Sequence, residues 1–498
     1  MTTNARKIIK GISSQTVVTI LLGIVEIVSF SIMSRLLTKV DFGYYASIAA
    51  VVAIFASFSD TGIGAAIIQT KHLHKHFVDN AFTLSLIFGL VISLLLFTLS
   101  GILANVVADN SMTTPLMLMS VTLLLNCLSS VFTSLMHRRL EFLRIGFIRL
   151  FSLVTTTIIA IWLAYDGYGY YSIITKTVLQ AFISFVLAWY FCKTRFRLTI
   201  DQKTSCIIFK FSGWLMASVI LRNLAHYVDK LLMPRLLSVS ALGAYSRPKD
   251  FITQISTKIN SIFDNALFPV LSSIQDEKEK IERSFTLSLS LLNTFALLLA
   301  MGFAFNSELI IRVFFGEEWL SLNLVMIVTS FVFVFNIDGR LSDCYLRSMA
   351  LTKIQFYFRA FETILNISGV LAGYRWGILG VSVAMLISNT ITKLIKIIYI
   401  ADKIGIGKSN VLMIIISSWK IGCVIIPVCI LGIIFLPDNL LGCIIQALIF
   451  VVCTIIILLF CPSIIGETYK NVIHSKIKKL SPFWRNRNYN IVSEHYNK

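Results

Sequence analysis

Two stretches of the sequence carry ionisable and polar side chains at helical spacing within otherwise apolar surroundings. The first, at 207–232, holds Arg222, His226, Asp229 and Lys230. The second, at 243–272, holds Arg247, Asp250, Gln254, Lys258, Ser261 and Asp264. Residues three, four, seven or eight apart share one face of an α-helix, so each set forms a single stripe. Charges in apolar surroundings are costly unless they face a partner or a cavity, and the stripes therefore predict a polar site.

The basic side chains of this site would receive an anionic group. Five cations lie in or beside the stripes: Arg222, Lys230, Arg247, Lys249 and Lys258. Phosphate suits both residue types, arginine through its planar donor fork and lysine as a point charge. Four acids would carry a coupling proton or Na⁺: Glu26, Asp60, Asp229 and Asp250. The same charges are also explained by ion pairs between helices, or by long side chains that reach from helix ends to the membrane interface.

The helices that hold these stripes are predicted to lie in a membrane. Hydrophobic residues make up 56% of the 498 and charged residues only 14%, too few to cover the surfaces of soluble domains of this total length. A helix needs about 20 apolar residues to cross a bilayer. We therefore predict an all-α integral membrane protein with about fourteen transmembrane helices. They lie near 12–33, 43–69, 79–104, 114–136, 146–164, 170–192, 207–232, 243–272, 285–306, 320–346, 354–373, 377–399, 411–436 and 440–462.

The basic residues give these helices a sidedness. With the N-terminus in the cytoplasm, they sort about six to one in favour of the cytoplasmic side, as the positive-inside rule expects. The cytoplasmic connections include 138–149, 193–210 and 393–408. The external side receives Arg35, Lys39, Arg235, Arg312 and Arg375. The net charge of +19 is thus explained by membrane topology and not by nucleic-acid binding. We predict a multi-pass bacterial inner-membrane protein with both termini in the cytoplasm.

An internal repeat divides the chain. The run MSRLL at 33–37 leads to Gly43 and Tyr45, and MPRLL at 233–237 leads to Gly243 and Tyr245. Both runs join the first and second helices of a six-helix block, and six crossings return the chain to its starting side. The repeat therefore predicts two like-oriented lobes related by a parallel pseudo-two-fold axis, with a site between them. The predicted boundaries are 1–200 for the first lobe (helices 1–6), 201–405 for the second (helices 7–12), 406–465 for two C-terminal helices and 466–498 for a basic cytoplasmic tail.

No cofactor or metal site is expected. The nine cysteines form no CxxC pair. Most lie in apolar segments, where a free thiol behaves as a small hydrophobe. A coupling ion, H⁺ or Na⁺, is the small ligand that the buried acids would serve.

Three groups of motifs occur along the chain: SRLL at 34–37 with FGYY at 42–45, DTGIG at 60–64 followed by an apolar turn, and GILGVSVA at 377–384. In this order they resemble segments of the Wzx-type polysaccharide flippases of the MOP superfamily. Each motif is loose, but their order and spacing match that family over about 1–465. Two six-helix lobes with an extra helix pair also match it.

The resemblance implies transport of an oligosaccharide linked to undecaprenyl pyrophosphate across the cytoplasmic membrane, for assembly of a surface polysaccharide such as lipopolysaccharide. It implies alternating access by lobe rocking, an ion gradient as in an antiporter, and a cationic cavity for sugar and pyrophosphate. The implied partners are the lipid-linked oligosaccharide, membrane lipids and the polysaccharide polymerase machinery. The family has no fixed catalytic motif, so no enzyme activity is expected and the site residues rest on the charge stripes alone.

Three other functions compete with this one. A multidrug or cation exporter of the same superfamily normally has twelve helices and fewer buried cations. A peptidoglycan-precursor flippase shares the fourteen helices and the positive cavity. A glycosyltransferase or polymerase of polysaccharide assembly usually has a large external loop or an acidic motif in the first loop, which here contains Arg35, Lys39 and only one acid, Asp41.

Overall fold

The chain folds entirely into helices and short connections wherever its structure is described. The computed structural model describes residues 3–59, 63–70, 74–194, 196–199, 201–273, 277–349, 351–435 and 440–460, and the side chains of 3–16, 202–216 and 261–270 are among those it omits. No β-strand occurs in these ranges. The α-helices are α1 (Thr3–Leu36), α2 (Lys39–Ser59), α3 (Ile63–Gln69), α4 (Lys75–Val107), α5 (Thr113–Arg138), α6 (Phe142–Tyr165), α7 (Tyr171–Cys192), α8 (Gln202–Leu236), α9 (Val239–Ser273), α10 (Lys278–Phe305), α11 (Ser307–Ile310), α12 (Asn323–Ser348), α13 (Thr352–Gly373), α14 (Gly377–Ile404), α15 (Lys408–Phe435) and α16 (Leu440–Phe460).

The predicted spans coincide with these helices. Every span overlaps a helix, and the second, predicted at 43–69, corresponds to α2 and the short α3. Among the described residues, ten stretches are long and apolar enough to cross a membrane, and one of them, Lys353–Ile404, contains α14 and all of α13 but its first residue. The charge-bearing α8 and α9 are not among the ten. An all-α, multi-pass membrane protein is confirmed.

The helices belong to two compact units that are not contiguous in sequence. The first contains Met1–Gln254, Ile310–Val325 and Thr352–Thr392. The second contains Ile255–Leu309, Met326–Leu351 and Lys393–Lys498. In the first unit α4 packs on α5, α5 on α7, α1 on α6, and α8 on α13. In the second unit α10 packs on α15, and α15 on α16.

The two copies of the repeat begin their second helices in the same way. Thr38 precedes α2, and its hydroxyl accepts from the N–H of Asp41 (3.2 Å) while a carboxylate oxygen of Asp41 accepts from the N–H of Thr38 (2.9 Å). This is a capping box, which satisfies two N–H groups that the first helical turn leaves free. Ser238 precedes α9, and its hydroxyl accepts from the N–H of Ala241 (3.0 Å), so the second copy has one of the two hydrogen bonds of a capping box.

Gly43 and Gly243, which are equivalent in the repeat, lie where α2 and α9 cross. A Cβ atom on Gly243 would overlap the carbonyl oxygen of Lys39, and one on Gly43 would overlap the carbonyl oxygen of Val239. The two backbones are therefore in direct contact, an approach that small residues make possible between helices in a membrane. Because α9 carries Arg247, Lys249 and Asp250, its crossing with α2 helps to position the candidate site.

The connection after α7 is fixed to the start of α4. Phe196 stacks on Phe82 at 4.4 Å between ring centroids and packs edge-on against Phe132 at 5.4 Å. Alternate backbone N–H groups of the connection donate to polar side chains of α4: Arg197 to Asp79 (3.2 Å), Thr199 to Thr83 (3.1 Å) and Asp201 to Asn80 (3.1 Å). An extended chain presents alternate residues to one side, which explains this spacing. The connection is thus held by α4 until α8 begins at Gln202.

Candidate functional site

Two ion pairs join α8 to α9 within the first unit. Asp229 and Lys249 form one pair, and their side chains are 0% and 10% exposed. Lys230 and Asp250 form the other at 2.6 Å, with side chains 6% and 35% exposed. The four residues are adjacent in the sequence on each helix, so neighbouring positions of α8 reach neighbouring positions of α9. The predicted stripes therefore do meet.

The carboxylate of Asp229 is the most enclosed group of this network. One oxygen accepts from the Tyr245 hydroxyl at 2.6 Å as well as from Lys249. The other accepts from the backbone N–H of Lys230 at 2.9 Å. A buried carboxylate is stable when its oxygens are satisfied in this way and an opposite charge is in contact.

Arg247 is held by α1 and by the start of α2. Its guanidinium lies 3.3 Å from the ring centroid of Phe30 and 3.9 Å from that of Phe42. It donates to the hydroxyl of Ser34 at 2.6 and 3.0 Å and to the carbonyl of Phe30 at 2.7 Å. Stacking on aromatic faces and directed hydrogen bonds are what distinguish arginine from lysine at such a position.

The contacts described above do not include the remaining predicted site residues. Arg222 is exposed on α8, two turns before Asp229. Glu26 is half-buried on α1, and its charge acts on Lys176, which donates to Ser29 at 2.8 Å. Lys258 is half-buried and belongs to the second unit. Asp60 lies outside the described residues, as do the side chains of Ser261 and Asp264.

A second buried charged cluster lies in the second unit, between α12 and α14. Lys396 pairs with Asp343, and their side chains are 4% and 7% exposed. Lys393 donates to the carbonyl of Phe335 at 2.6 Å and packs against Gly339. The sequence placed both lysines at the overlap of the predicted span 377–399 and the predicted connection 393–408; in the structure α14 continues to Ile404 and buries both. Arg340 and Asp343 are three residues apart on α12, a helical spacing that could have indicated this cluster.

The sequence also did not indicate the groups that hold the first network in place. Tyr245 was noted only as part of the repeat, and Phe30, Ser34 and Phe42 only as part of apolar or family-like segments. Their roles depend on how α1, α2 and α9 pack, and no periodicity within a single helix contains that information.

These contacts determine what the site can do chemically. Lys230 and Lys249 pair with Asp250 and Asp229, and Arg247 adds a third positive charge, so these five side chains together have one positive charge in excess. Such a set can bind and orient an anion or exchange one counter-charge for another. Within the described ranges, no cluster of three or more His, Cys, Asp or Glu side chains has the arrangement of a metal site.

The sequence of the chain matches a protein family and several curated relatives. Residues 32–324 match the family model described as "Polysaccharide biosynthesis protein". The lipopolysaccharide biosynthesis protein WzxC of Escherichia coli is 23% identical over 78% of this chain and 80% of its own length. The family match confirms the expected link to polysaccharide biosynthesis.

Solved structures show the same fold. The lipid II flippase MurJ in an inward closed conformation superposes with a TM-score of 0.69 over 93% of this chain and 99% of its own, at 15% identity. A multidrug resistance MATE transporter of the MOP superfamily, facing inward, superposes with a TM-score of 0.58 over 78% of this chain and 94% of its own, at 14% identity. The helical fold is therefore that of the MOP superfamily. Together with the match over 32–324, it shows that the chain belongs to the polysaccharide biosynthesis protein family.

Proposed function

We propose that this transporter moves an oligosaccharide linked to undecaprenyl pyrophosphate across the bacterial cytoplasmic membrane, by alternating access, for surface polysaccharide assembly. The observation that carries the proposal is the α8–α9 network, which has an excess positive charge within a bundle of apolar helices. A pyrophosphate attached to a lipid is the anion that needs such a group at membrane depth. The lipid tail would stay in the bilayer while the charged and sugar parts cross in a polar path.

The five predicted cations would bind the pyrophosphate. Arg222, which is exposed on α8, would make the first contact, and Lys230, Arg247, Lys249 and Lys258 would follow. A pyrophosphate that approaches Lys230 would compete with Asp250, whose side chain is the more exposed partner of that pair. Exchange of one counter-charge for another avoids leaving a lysine unpaired inside the protein.

The same exchange offers a route to energy coupling. An Asp250 carboxylate that has lost Lys230 would take up a proton or a Na⁺ ion, so substrate and ion binding would depend on each other. Glu26, Asp60 and Asp229 are the further acids proposed to take part. A gradient of H⁺ or Na⁺ would then drive the cycle, and a substrate-dependent ion flux in vesicles would establish which ion is used.

We also propose the architecture that this cycle needs. Fourteen transmembrane helices would form lobes at 1–200 and 201–405, related by a pseudo-two-fold axis, with 406–465 as an additional pair and both termini cytoplasmic. The contact between Gly43 and Gly243 supports the axis, because an axis brings equivalent residues together. Reporter fusions after each helix, together with external labelling of single cysteines in the proposed loops, test the number of crossings and their orientation.

Alanine variants test the site. Arg222→Ala, Arg247→Ala and Lys249→Ala are expressed singly in a host that lacks the chromosomal copy, and surface polysaccharide is measured together with protein level. Arg375→Ala is the matched control, because Arg375 is an exposed arginine on the short turn Tyr374–Trp376. We expect polymer to fall about tenfold or more in the site variants and to stay normal in the control. Normal polymer from all three site variants at normal abundance would contradict the site.

The substrate is tested with the same host. Cells without the transporter should accumulate the lipid-linked oligosaccharide on the cytoplasmic side, and the purified protein in vesicles should move that lipid faster than lipid II. The proposed partnership with the polymerase machinery predicts co-purification of the two from cross-linked membranes. Equal transport of lipid II would favour a peptidoglycan-precursor flippase instead.

A further inference from the structure

Two arginines at equivalent positions of the repeat make equivalent contacts. Arg35 donates from Nη2 to the carbonyl of Val313 at 2.8 Å and to that of Arg312 at 3.4 Å. Arg235, two hundred positions later in MPRLL, donates from Nη1 to the carbonyl of Ala108 at 3.1 Å. All of these residues belong to the first unit, so both contacts are made inside one compact body.

The acceptors are equivalent as well. Ala108 lies in the connection between α4 and α5, the third and fourth predicted helices of the first repeat. Residues 312–313 lie in the connection between α10 and α12, the third and fourth of the second repeat. Each arginine therefore reaches across to the other repeat. A two-fold axis between two similar surfaces makes contacts reciprocal: if a residue of one repeat contacts a segment of the other, the equivalent residue contacts the equivalent segment.

Other contacts surround the first of these hydrogen bonds. The indole N–H of Trp319 donates to the carbonyl of Ser34 at 3.2 Å, and Lys39 lies 5.7 Å from the centroid of the same indole ring. Gly316, at a φ of +104°, allows the connection to turn close to the Arg35 side chain, whose Cγ would lie 3.7 Å from a Cβ there. A residue with a side chain would be strained in that conformation.

Each acceptor connection is also held by further side-chain contacts. Asp109 follows Ala108 and accepts from the N–H of Ser111 at 2.9 Å and from the hydroxyl of Tyr44 at 2.7 Å. In the other connection Arg312 pairs with Glu317 at 3.1 Å. The carbonyl groups that receive the two arginines are therefore held in place. A fixed acceptor makes a hydrogen bond to a charged donor more favourable, since little order has to be imposed when it forms.

We propose that Arg35 and Arg235 form a reciprocal pair of latches that holds the external ends of the two repeats together, and that both must release when the transporter opens to the outside. The proposal rests on the proposed alternating access and on the assignment of both arginines to the external side. It gives these residues a conformational role, whereas the α8–α9 network binds substrate. Because each latch is a hydrogen bond to a carbonyl and not an ion pair, it can break without leaving a buried carboxylate.

Accessibility of a buried position between the repeats tests the latches. Ser47 is fully buried and lies one turn from Gly43 on the same face of α2, so a cysteine there reports separation at the crossing with α9. Ser47→Cys is combined with Arg35→Ala, with Arg235→Ala and with both. The label is a membrane-impermeant maleimide added to the outside of right-side-out vesicles, and the labelling of the parent protein with Ser47 is subtracted as the contribution of native cysteines.

We expect each alanine variant to label about tenfold faster than Ser47→Cys alone, and the double variant faster still, because a hydrogen bond to a charged group that stabilises the closed state is lost in each. Arg375→Ala combined with Ser47→Cys should label at the unmodified rate. Arg35→Lys and Arg235→Lys should be intermediate, since lysine can donate to one carbonyl but lacks the guanidinium fork.

The result that would overturn the proposal is an unchanged labelling rate in both alanine variants, with the proteins at normal abundance and monodisperse in detergent. If an alanine variant fails to fold, the lysine variants decide, and an unchanged rate in both of them overturns the proposal too. The labelling needs no substrate. Its outcome is therefore independent of whether the chain carries a lipid-linked oligosaccharide, and polymer production in the same cells measures that separately.

Discussion

Asp229 and Lys249 should stabilise the fold only while both charged side chains are present and paired with each other. Asp229→Asn keeps the size of the side chain and an oxygen for the Tyr245 hydroxyl, but it removes the negative charge beside the Lys249 ammonium. Both side chains are buried, so the lysine cannot regain full hydration. Removal of one partner from a buried pair costs about 3–5 kcal/mol. At about 2 °C per kcal/mol for a large domain, the midpoint of thermal unfolding should fall by about 6 °C or more.

The double variant distinguishes a broken pair from a general loss of packing. Asp229→Asn combined with Lys249→Gln removes both charges, and such a neutral replacement is often close to wild type in stability. We expect its unfolding midpoint, measured by size-exclusion chromatography of heated detergent samples, to recover most of the loss. The coupling between the two substitutions should therefore be at least about 2–3 kcal/mol.

An exposed ion pair provides the matched control. Arg144 and Glu141 pair at 2.7 Å with side chains 49% and 22% exposed, so Arg144→Gln should change stability by about 1 kcal/mol or less. If Asp229→Asn is as mild as Arg144→Gln, or if the double variant is as unstable as the single one, the account of this pair is wrong.

Three further predictions concern other parts of the first unit. Gly243→Ala should sharply lower the amount of folded protein in the membrane, because its Cβ would overlap the carbonyl of Lys39, whereas Gly23→Ala, with nothing within 4 Å, should leave it unchanged. Asn366→Ala should cost about 1 kcal/mol in the same thermal assay, because the amide donates to the carbonyl of Ala225 at 2.9 Å. Asp109 lies outside the membrane-spanning helices; burial opposes its ionisation, but hydrogen bonds from Ser111 and Tyr44 lower its pKa overall. A carboxyl group whose pKa is lowered by folding stabilises the fold above its ordinary pKa of about 3.9, and this stabilisation is lost as the pH falls through the folded-state pKa. The difference in stability between wild type and Tyr44→Phe should therefore be constant from pH 8 to about 5 and should shrink below about pH 4.

Much of the helical framework could be predicted because it depends on local properties. Apolar runs of about 20 residues locate membrane helices without knowledge of their neighbours. The stripes on α8 and α9 were visible because the 3.6-residue period is a property of one helix. The repeat was visible because its two copies retain the same residues at Arg35 and Arg235 and at Gly43 and Gly243.

The partners of the charged residues could not be predicted from these patterns. Lys249 pairs with Asp229 and Lys230 with Asp250 because of the rotation and crossing of α8 and α9, which tertiary packing decides. Arg247 was identified as a cation, but the rings of Phe30 and Phe42 that enclose it come from distant parts of the chain. Lys393 and Lys396 fall in both the predicted span 377–399 and the predicted connection 393–408 for a related reason. Near the end of an apolar run, a basic residue resembles the start of a cytoplasmic connection, and only the pairing of Lys396 with Asp343 shows why α14 buries it.

The most direct test of the central claim is a transport measurement with the purified protein in sealed vesicles. The vesicles contain undecaprenyl-pyrophosphate oligosaccharide in the outer leaflet, and the fraction that becomes inaccessible to an added glycosidase is followed over time, with an ion gradient imposed. We predict protection that depends on the protein; Arg247→Ala should slow this protection about tenfold or more, while Arg375→Ala should not. Protection at the same rate in vesicles without protein, or an Arg247→Ala protein that transports as fast as wild type, would contradict it.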